Sequence, residues 1–281
     1  MLAQCEDGRA PFPPTILFNE DWLLRLVLDW FANSVEARDE SHPLAPLPGA
    51  RWFSEALLPS AFLPRYRGDL LAESRTHADG MIGHIHIGRR GATDLSLRSE
   101  AIDNPQLAVV EAKMYGKLSA GVKNAPFFDQ AARSVACLAE ILRRADRSPA
   151  EMGVLGFTLV APRSRIDAGV FDDALNPRSL RHKVQARVEG YEGSLDPWYH
   201  AWFEPTLKRL DIRMFAWEDL IEQIAFEDME AGQLLDSFYG RCLKFNRPQR
   251  NAAPERQTLP AWACPTPRVR GAAEAVANGQ G

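Results

Sequence analysis

Glu111 and Lys113 are the residues whose types and spacing best suit chemistry. They stand two apart in LAVVEAKM, Leu107 to Met114, a β-rich run that predicts a short strand. Alternate residues of a strand share a face. Leu107, Val109, Glu111 and Lys113 therefore point one way, and Ala108, Val110, Ala112 and Met114 the other. One face turns from apolar to charged, with its carboxylate and ammonium roughly 6.7 Å apart along the strand. That is costly at the end of a core-like segment unless water, a metal or a substrate meets it. A cleft is expected there. The tripeptide alone carries little weight, since an ion pair on the rim of a strand gives the same pattern.

Context adds to it. Asp79, in RTHADGMIG, opens a predicted strand upstream, and a helix carrying Gln130 follows Lys113. Phosphodiester cleavage needs a hard cation against developing negative charge, and Mg²⁺ takes oxygen ligands, usually one or two carboxylates plus water and phosphate. Asp79 and Glu111 supply carboxylate oxygens, and the Ala112 carbonyl could add a third. Lys113 would favour the hydroxide form of an attacking water and stabilise charge on the phosphate. Each residue has a plainer reading. Asp79 before Gly80 is a good turn dipeptide, Glu20 complements the positive end of its helix, and Gln130 suits a solvated helix face. Glu73, which alternates out of an apolar segment, is a further acidic candidate.

The elements that must position these residues follow from periodicity. Leu24, Val27, Leu28 and Phe31 predict a helix from Asn19, its N-cap, to Val35, with Glu20 on the apolar face. Ser41 to Gly49 is a proline-rich connector. From Asp69 to Ile87, DLLAES and THADGMIGHIHI are expected to be neighbouring strands. Asn124 caps a helix to about Ala145, with Phe128, Ala132, Val135, Leu138 and Leu142 on one face. Met152 to Pro162 reads as a buried strand. A basic helix with Arg178, Arg181, Lys183 and Arg187, the aromatic segment DPWYHAWF, a strand from Asp211 to Trp217 and helices near 218–228 and 231–244 follow. This order predicts an α/β domain over 17–247, a mixed central sheet covered by helices, with added C-terminal helices. Residues 1–16 read as an irregular arm, and 248–281, with five prolines, as a disordered tail.

With Asp79, Glu111-x-Lys113, Glu20 and Gln130 in this order, residues 19–162 resemble the PD-(D/E)XK nuclease superfamily, the restriction-endonuclease-like fold. The resemblance implies a helix, three strands, a helix and a strand, with the motif aspartate on the second strand and the acidic-x-Lys on the third. Asp79 matches the aspartate, Glu111 and Lys113 the acidic-x-Lys, Glu20 the acidic residue of the first helix, and Gln130 a polar helix residue beside the site. Ala78 stands where the pattern has proline. The implied activity is Mg²⁺-dependent nucleic-acid hydrolysis, with Mn²⁺ as a substitute, by a DNA endonuclease or exonuclease of restriction, repair or defence. DNA is expected over RNA as substrate, and cutting both strands of a duplex suits a homodimer.

Composition sets the outer limits. The chain has 281 residues, 46% hydrophobic and 25% charged, which excludes disordered, collagenous and disulfide-stapled classes. No run reaches the length of a membrane span, and the opening does not resemble a signal peptide, so a cytoplasmic protein without a membrane partner is expected. Cys5, Cys137, Cys242 and Cys264 are scattered, which predicts reduced thiols. Net charge is −4, and about −7 without the basic tail, so nucleic-acid binding has to come from local patches. The basic helix is the best candidate for gripping phosphates. His77, His84 and His86 fit a packed sheet better than a zinc site, and Trp198, Tyr199, Trp202 and Phe203 fit a core helix better than a base-stacking platform. Nucleotide-binding and serine-hydrolase motifs are absent. The main competing function is a non-catalytic nucleic-acid-binding or scaffolding protein of the same fold.

Overall fold

The computed structural model describes residues 12–34, 42–73, 76–87, 95–98, 102–120 and 125–247. The Asn19 side chain accepts the N–H of Trp22 and starts helix α1 (Glu20–Asn33), which buries Leu23, Leu24, Val27, Leu28 and Phe31 as one apolar stripe. A single 3₁₀ turn, Pro14–Ile16, precedes it. Strands β1 (Arg51–Leu58), β2 (Thr76–Gly83), β5 (Gln106–Ala112), β6 (Val154–Ala161) and β7 (Asp211–Ala216) form a mixed sheet in the order β1-β2-β5-β6-β7. The β1/β2 and β2/β5 pairs are antiparallel, and β5/β6 and β6/β7 are parallel. Strands β3 (Ile85–Ile87) and β4 (Leu95–Leu97) make a separate two-stranded pair.

Helices cover both faces. On one, Leu107, Val109, Phe157 and Leu159 pack with Val135, Leu138 and Leu142 of α2 (Gln130–Arg144) and with Leu180 and Val184 of α3 (Pro177–Glu189). On the other, Ile82, Val110, Ala112 and Val160 pack with Leu24 and Leu28 of α1, with Trp217, Leu220 and Ile224 of α4 (Trp217–Glu227), and with Leu235 and Cys242 of α5 (Met229–Phe245). β5 is buried along its whole length, because helices cover both of its faces and a strand lies on each side. A Cβ on Gly80 would stand 3.0 Å from Leu28 Cδ1 and 3.2 Å from Leu24 Cδ2, so glycine lets α1 lie close on β2 immediately beside Asp79.

Three expectations change. Residues 69–73 of DLLAES are not a strand: the segment turns at Asp69, whose carboxylate accepts the N–H groups of Arg65 and Leu71, and Ser74 lies outside the described residues. The strand beside β2 is RWFSEALL, β1, a sheet-edge segment whose burial alternates only weakly. Asp79 lies inside β2 and does not open it. Helix α2 begins at Gln130, with the Asp129 side chain accepting from Ala132 N–H. The expected cap Asn124, the ends of the chain carrying Cys5 and Cys264, and the tail 248–281 lie outside the described residues. Cys137 and Cys242 are free and buried. Among the described residues no helix is long and apolar enough to cross a membrane.

Candidate active site

The site forms where β5 parts from β2. Their paired residues run from Gly83↔Leu107 to Gly80↔Val110 and go no further. Asp79, the next residue on β2, fills the opening with its side chain, and its Oδ2 accepts the Ala112 backbone N–H at 2.8 Å. On its other side β5 stays in register with β6 as far as Ala112↔Val160, and Lys113 N–H donates to the Val160 carbonyl at 2.8 Å. The Lys113 carbonyl accepts from Trp217 Nε1 at 3.1 Å. The backbone at the end of β5 is therefore held from β6 and α4, while its β2 side presents side chains.

Three oxygens surround the Lys113 ammonium. Its Nζ lies 2.8 Å from the Ala112 carbonyl, 3.1 Å from Asp79 Oδ2 and 3.8 Å from Glu111 Oε2. Glu111 is fully buried, and helix α2 supplies its other contacts: Gln130 Nε2 donates to Oε2, and Ser134 Oγ donates to Oε1 at 3.0 Å. Burial, and then the neighbouring Asp79 charge, hold the Glu111 carboxyl well above the usual carboxylate range, against the pull of Lys113 and Ser134. Burial alone would lower the Lys113 ammonium, but the Asp79 and Glu111 carboxylates outweigh it and raise it. The result is a lysine fixed in its charged form between two acids.

Glu20 stands half-buried at the start of α1, and its charge reaches Lys113. The neighbouring Asp21 responds more directly to the site. Its carboxyl is pushed up to about 6 by burial first, then by Asp79, Glu55 and Glu20, with Arg25 opposing. Glu55 lies opposite Asp79 between the pairs Ser54↔Gly80 and Ala56↔Ala78, in a left-handed backbone conformation (φ 54°) uncommon for glutamate. Sequence reasoning missed Asp21, Glu55 and Ser134. Ser134 was within reach, because it follows Gln130 by one helical turn and shares its face.

The remaining candidates separate from this cluster. Glu73, the rival acidic residue, is buried in a group of its own, 4.0 Å from Arg133 Nε and 3.5 Å from Ser60 Oγ. Arg178 and Arg181 are exposed on α3, and Arg181 pairs with Glu204 at 3.9 Å. Lys183 Nζ is engaged by Asp129 at 2.9 Å and Asp173 at 3.7 Å. Arg187, expected to grip phosphate, is 1% exposed, donates to the Leu71 carbonyl, and lies over the rings of Phe62, Phe128 and Tyr191. The helical period explains this, since Leu180, Val184, Arg187 and Val188 form the buried stripe of α3. His84 bridges two backbone groups: Nδ1 accepts Gln106 N–H at 3.0 Å and Nε2 lies 3.1 Å from the Pro48 carbonyl. His77 and His86 are exposed. Trp198, Tyr199 and Phe203 are buried and Trp202 is half-buried, as a core role requires.

Among the described residues no group of three or more His, Cys, Asp or Glu side chains is set to hold a metal ion. The donor set at the end of β5 is two carboxylates and one backbone carbonyl, hard oxygens of the kind Mg²⁺ takes, which here face the Lys113 ammonium, with Gln130 and Ser134 also on Glu111. Compared with protein-family models, curated proteins and solved structures, the chain matches none of them.

Proposed function

We propose that this chain is a divalent-metal-dependent nuclease with the restriction-endonuclease-like fold, hydrolysing phosphodiester bonds in nucleic acid, DNA in preference to RNA. One observation carries the reading: oxygens of Asp79, Glu111 and Ala112 all lie within 3.8 Å of one lysine ammonium at the end of a buried strand. With all three charges present, two carboxylates face one ammonium, which leaves a formal charge of −1 to attract a cation. The order of α1, β1, β2, β5, α2 and β6 also supports it, with Asp79 on the second strand of the main sheet and Glu111 on the third.

Asp79, Glu111 and the Ala112 carbonyl would hold Mg²⁺ or Mn²⁺. Bound there, the ion supplies charge neutralisation at the scissile phosphate. Asp79 also holds the Lys113 ammonium, which offers positive charge to the phosphate and favours the hydroxide form of the attacking water. Gln130 and Ser134 fix the plane of the Glu111 carboxylate. Asp21 and Glu20 add negative charge at the rim of the site.

A second reading, a non-catalytic nucleic-acid-binding module, draws on the complete burial of Glu111 and the engagement of both its oxygens within the protein. Incubating plasmid DNA, linear DNA and RNA with purified protein and Mg²⁺ or Mn²⁺ separates the two. Cleavage by wild type that is lost in Glu111→Ala and Lys113→Ala supports the nuclease. Retained binding with no cleavage under any condition would favour the module.

A further inference from the structure

Gln130 sits between Glu111 and the chain that leaves β5, and its amide can point either way. Its polarity is set from outside the site. The Ser119 backbone N–H lies 3.4 Å from Gln130 Oε1, and a backbone N–H can only donate, so this long contact favours the oxygen facing Ser119 and the NH₂ facing Glu111 without fixing it alone. Ser119 Oγ lies 3.4 Å from the same oxygen and donates to it. That hydroxyl is directed by Arg133, whose Nη2 donates to Ser119 Oγ at 3.1 Å and so leaves the Ser119 proton for Gln130. The Ser119 carbonyl in turn accepts Gln130 N–H at 2.9 Å, tying the segment after β5 to the first turn of α2.

Arg133 is itself held from the interior. Its Nε forms an ion pair with Glu73 Oε1 at 4.0 Å, and the Arg133 and Glu73 side chains are only 18% and 3% exposed. A 4.0 Å ion pair, without a hydrogen bond, and then hydrogen bonds thus connect a buried acid to the candidate metal ligand, in the order Glu73, Arg133, Ser119, Gln130, Glu111. Both Arg133 and Ser134 follow Gln130 on α2, one supporting the amide through Ser119 and the other holding the second Glu111 oxygen.

We infer that Ser119 and Arg133 are positioning residues that set the polarity of the Gln130 amide and thereby hold the Glu111 carboxylate in the orientation needed for hydrolysis. This rests on the nuclease reading for its catalytic part, while the orientation of the amide does not. A glutamine turned the other way would set its oxygen against a carboxylate oxygen and push Glu111 out of line, and a catalytic group displaced by about 1 Å can lose roughly 10²-fold in rate.

The test uses the full-length ¹⁵N-labelled chain. The Gln130 side-chain amide signal is assigned by its loss in Gln130→Ala and followed in Ser119→Ala, Ser119→Thr and Arg133→Gln. Ser119 is exposed, so its substitution leaves the core intact. The signal is expected to shift in Ser119→Ala and Arg133→Gln and to stay near its wild-type position in Ser119→Thr, which keeps the hydroxyl. In cleavage assays kcat is expected to fall about tenfold in the first two, with KM for DNA unchanged and kcat restored in Ser119→Thr. An amide signal indifferent to both Ser119→Ala and Arg133→Gln would overturn the inference, as would a loss expressed wholly in KM. A responsive amide in a protein that cleaves nothing would uphold the positioning of Glu111 and reject the nuclease reading alone.

Discussion

Glu111 and Glu73 are both buried against helix α2, at 0% and 4% exposure, and burial raises the carboxyl of each. Their neighbours differ. Glu73 meets two guanidinium groups, Arg133 and Arg187, so its cluster carries a formal +1 when all three are charged. Glu111 meets a second carboxylate, one ammonium and two neutral donors, so its cluster carries a formal −1. An acid near two arginines has counter-charge supplied inside the protein. An acid beside another acid, at the end of a strand, is held toward its neutral form, and a cation from outside the fold would favour its charged one. Burial and a shifted carboxyl are common to both acids, and what differs between them is the net charge of the cluster each belongs to.

The sharpest way to break this comparison is kinetic. Glu111→Ala is expected to lower the rate of nucleic-acid cleavage by about 10³-fold, and Glu73→Gln by about tenfold, acting only through Arg133. Equal losses in a single-turnover assay would erase the distinction. The same pair should invert in stability. Glu73→Ala leaves the buried Arg187 and the half-buried Arg133 without their acid and is expected to cost about 3 kcal/mol in urea denaturation, whereas Glu111→Gln removes a like-charge contact and should cost under about 1 kcal/mol.

A smaller effect concerns the rim. Because the Asp21 carboxyl is raised to about 6 in the folded protein, folding favours its protonated form. Its contribution to stability is thus fully present below the unfolded carboxylate value and is lost as pH rises toward about 6. Asp21 is partly exposed, so solvent screening keeps the change to about 1 kcal/mol or less. Asp21→Asn should gain stability over wild type at pH 7.5 and lose that advantage at pH 4, measured by urea midpoints. The smallest expected effect is on α3. Arg178→Ala should weaken DNA binding a few-fold and reduce the slope of log affinity against log salt by about 0.9. Arg187→Met should leave that slope unchanged, since Arg187 lies in the core beside Glu73.

The spacing of Glu111 and Lys113, the apolar run that carries them, the capped first helix and the two C-terminal helices were legible because each depends on neighbours within a few residues. Periodicity reports which face a residue occupies, and in α3 it would have placed Arg187 inside had the Leu180, Val184, Val188 stripe been weighed against the count of basic residues. It does not report which strand lies alongside. RWFSEALL alternates too weakly to declare itself a strand, and DLLAES lost its apparent pattern to the Asp69 turn.

Only the tertiary structure decided that the β2–β5 ladder stops at Gly80↔Val110, so that the Asp79 carboxylate reaches the Ala112 N–H across 33 residues of chain. Packing likewise brought Asp21 to feel Asp79, sent Glu73 into a different cluster, and placed Ser119 and Ser134 at opposite ends of the hydrogen bonds that hold Glu111. The sequence by itself determined which residue types stand at the end of β5, because residue type and strand period are local. The sheet's register and the docking of α2 decided which oxygens share that place, because those depend on contacts between segments far apart in the chain.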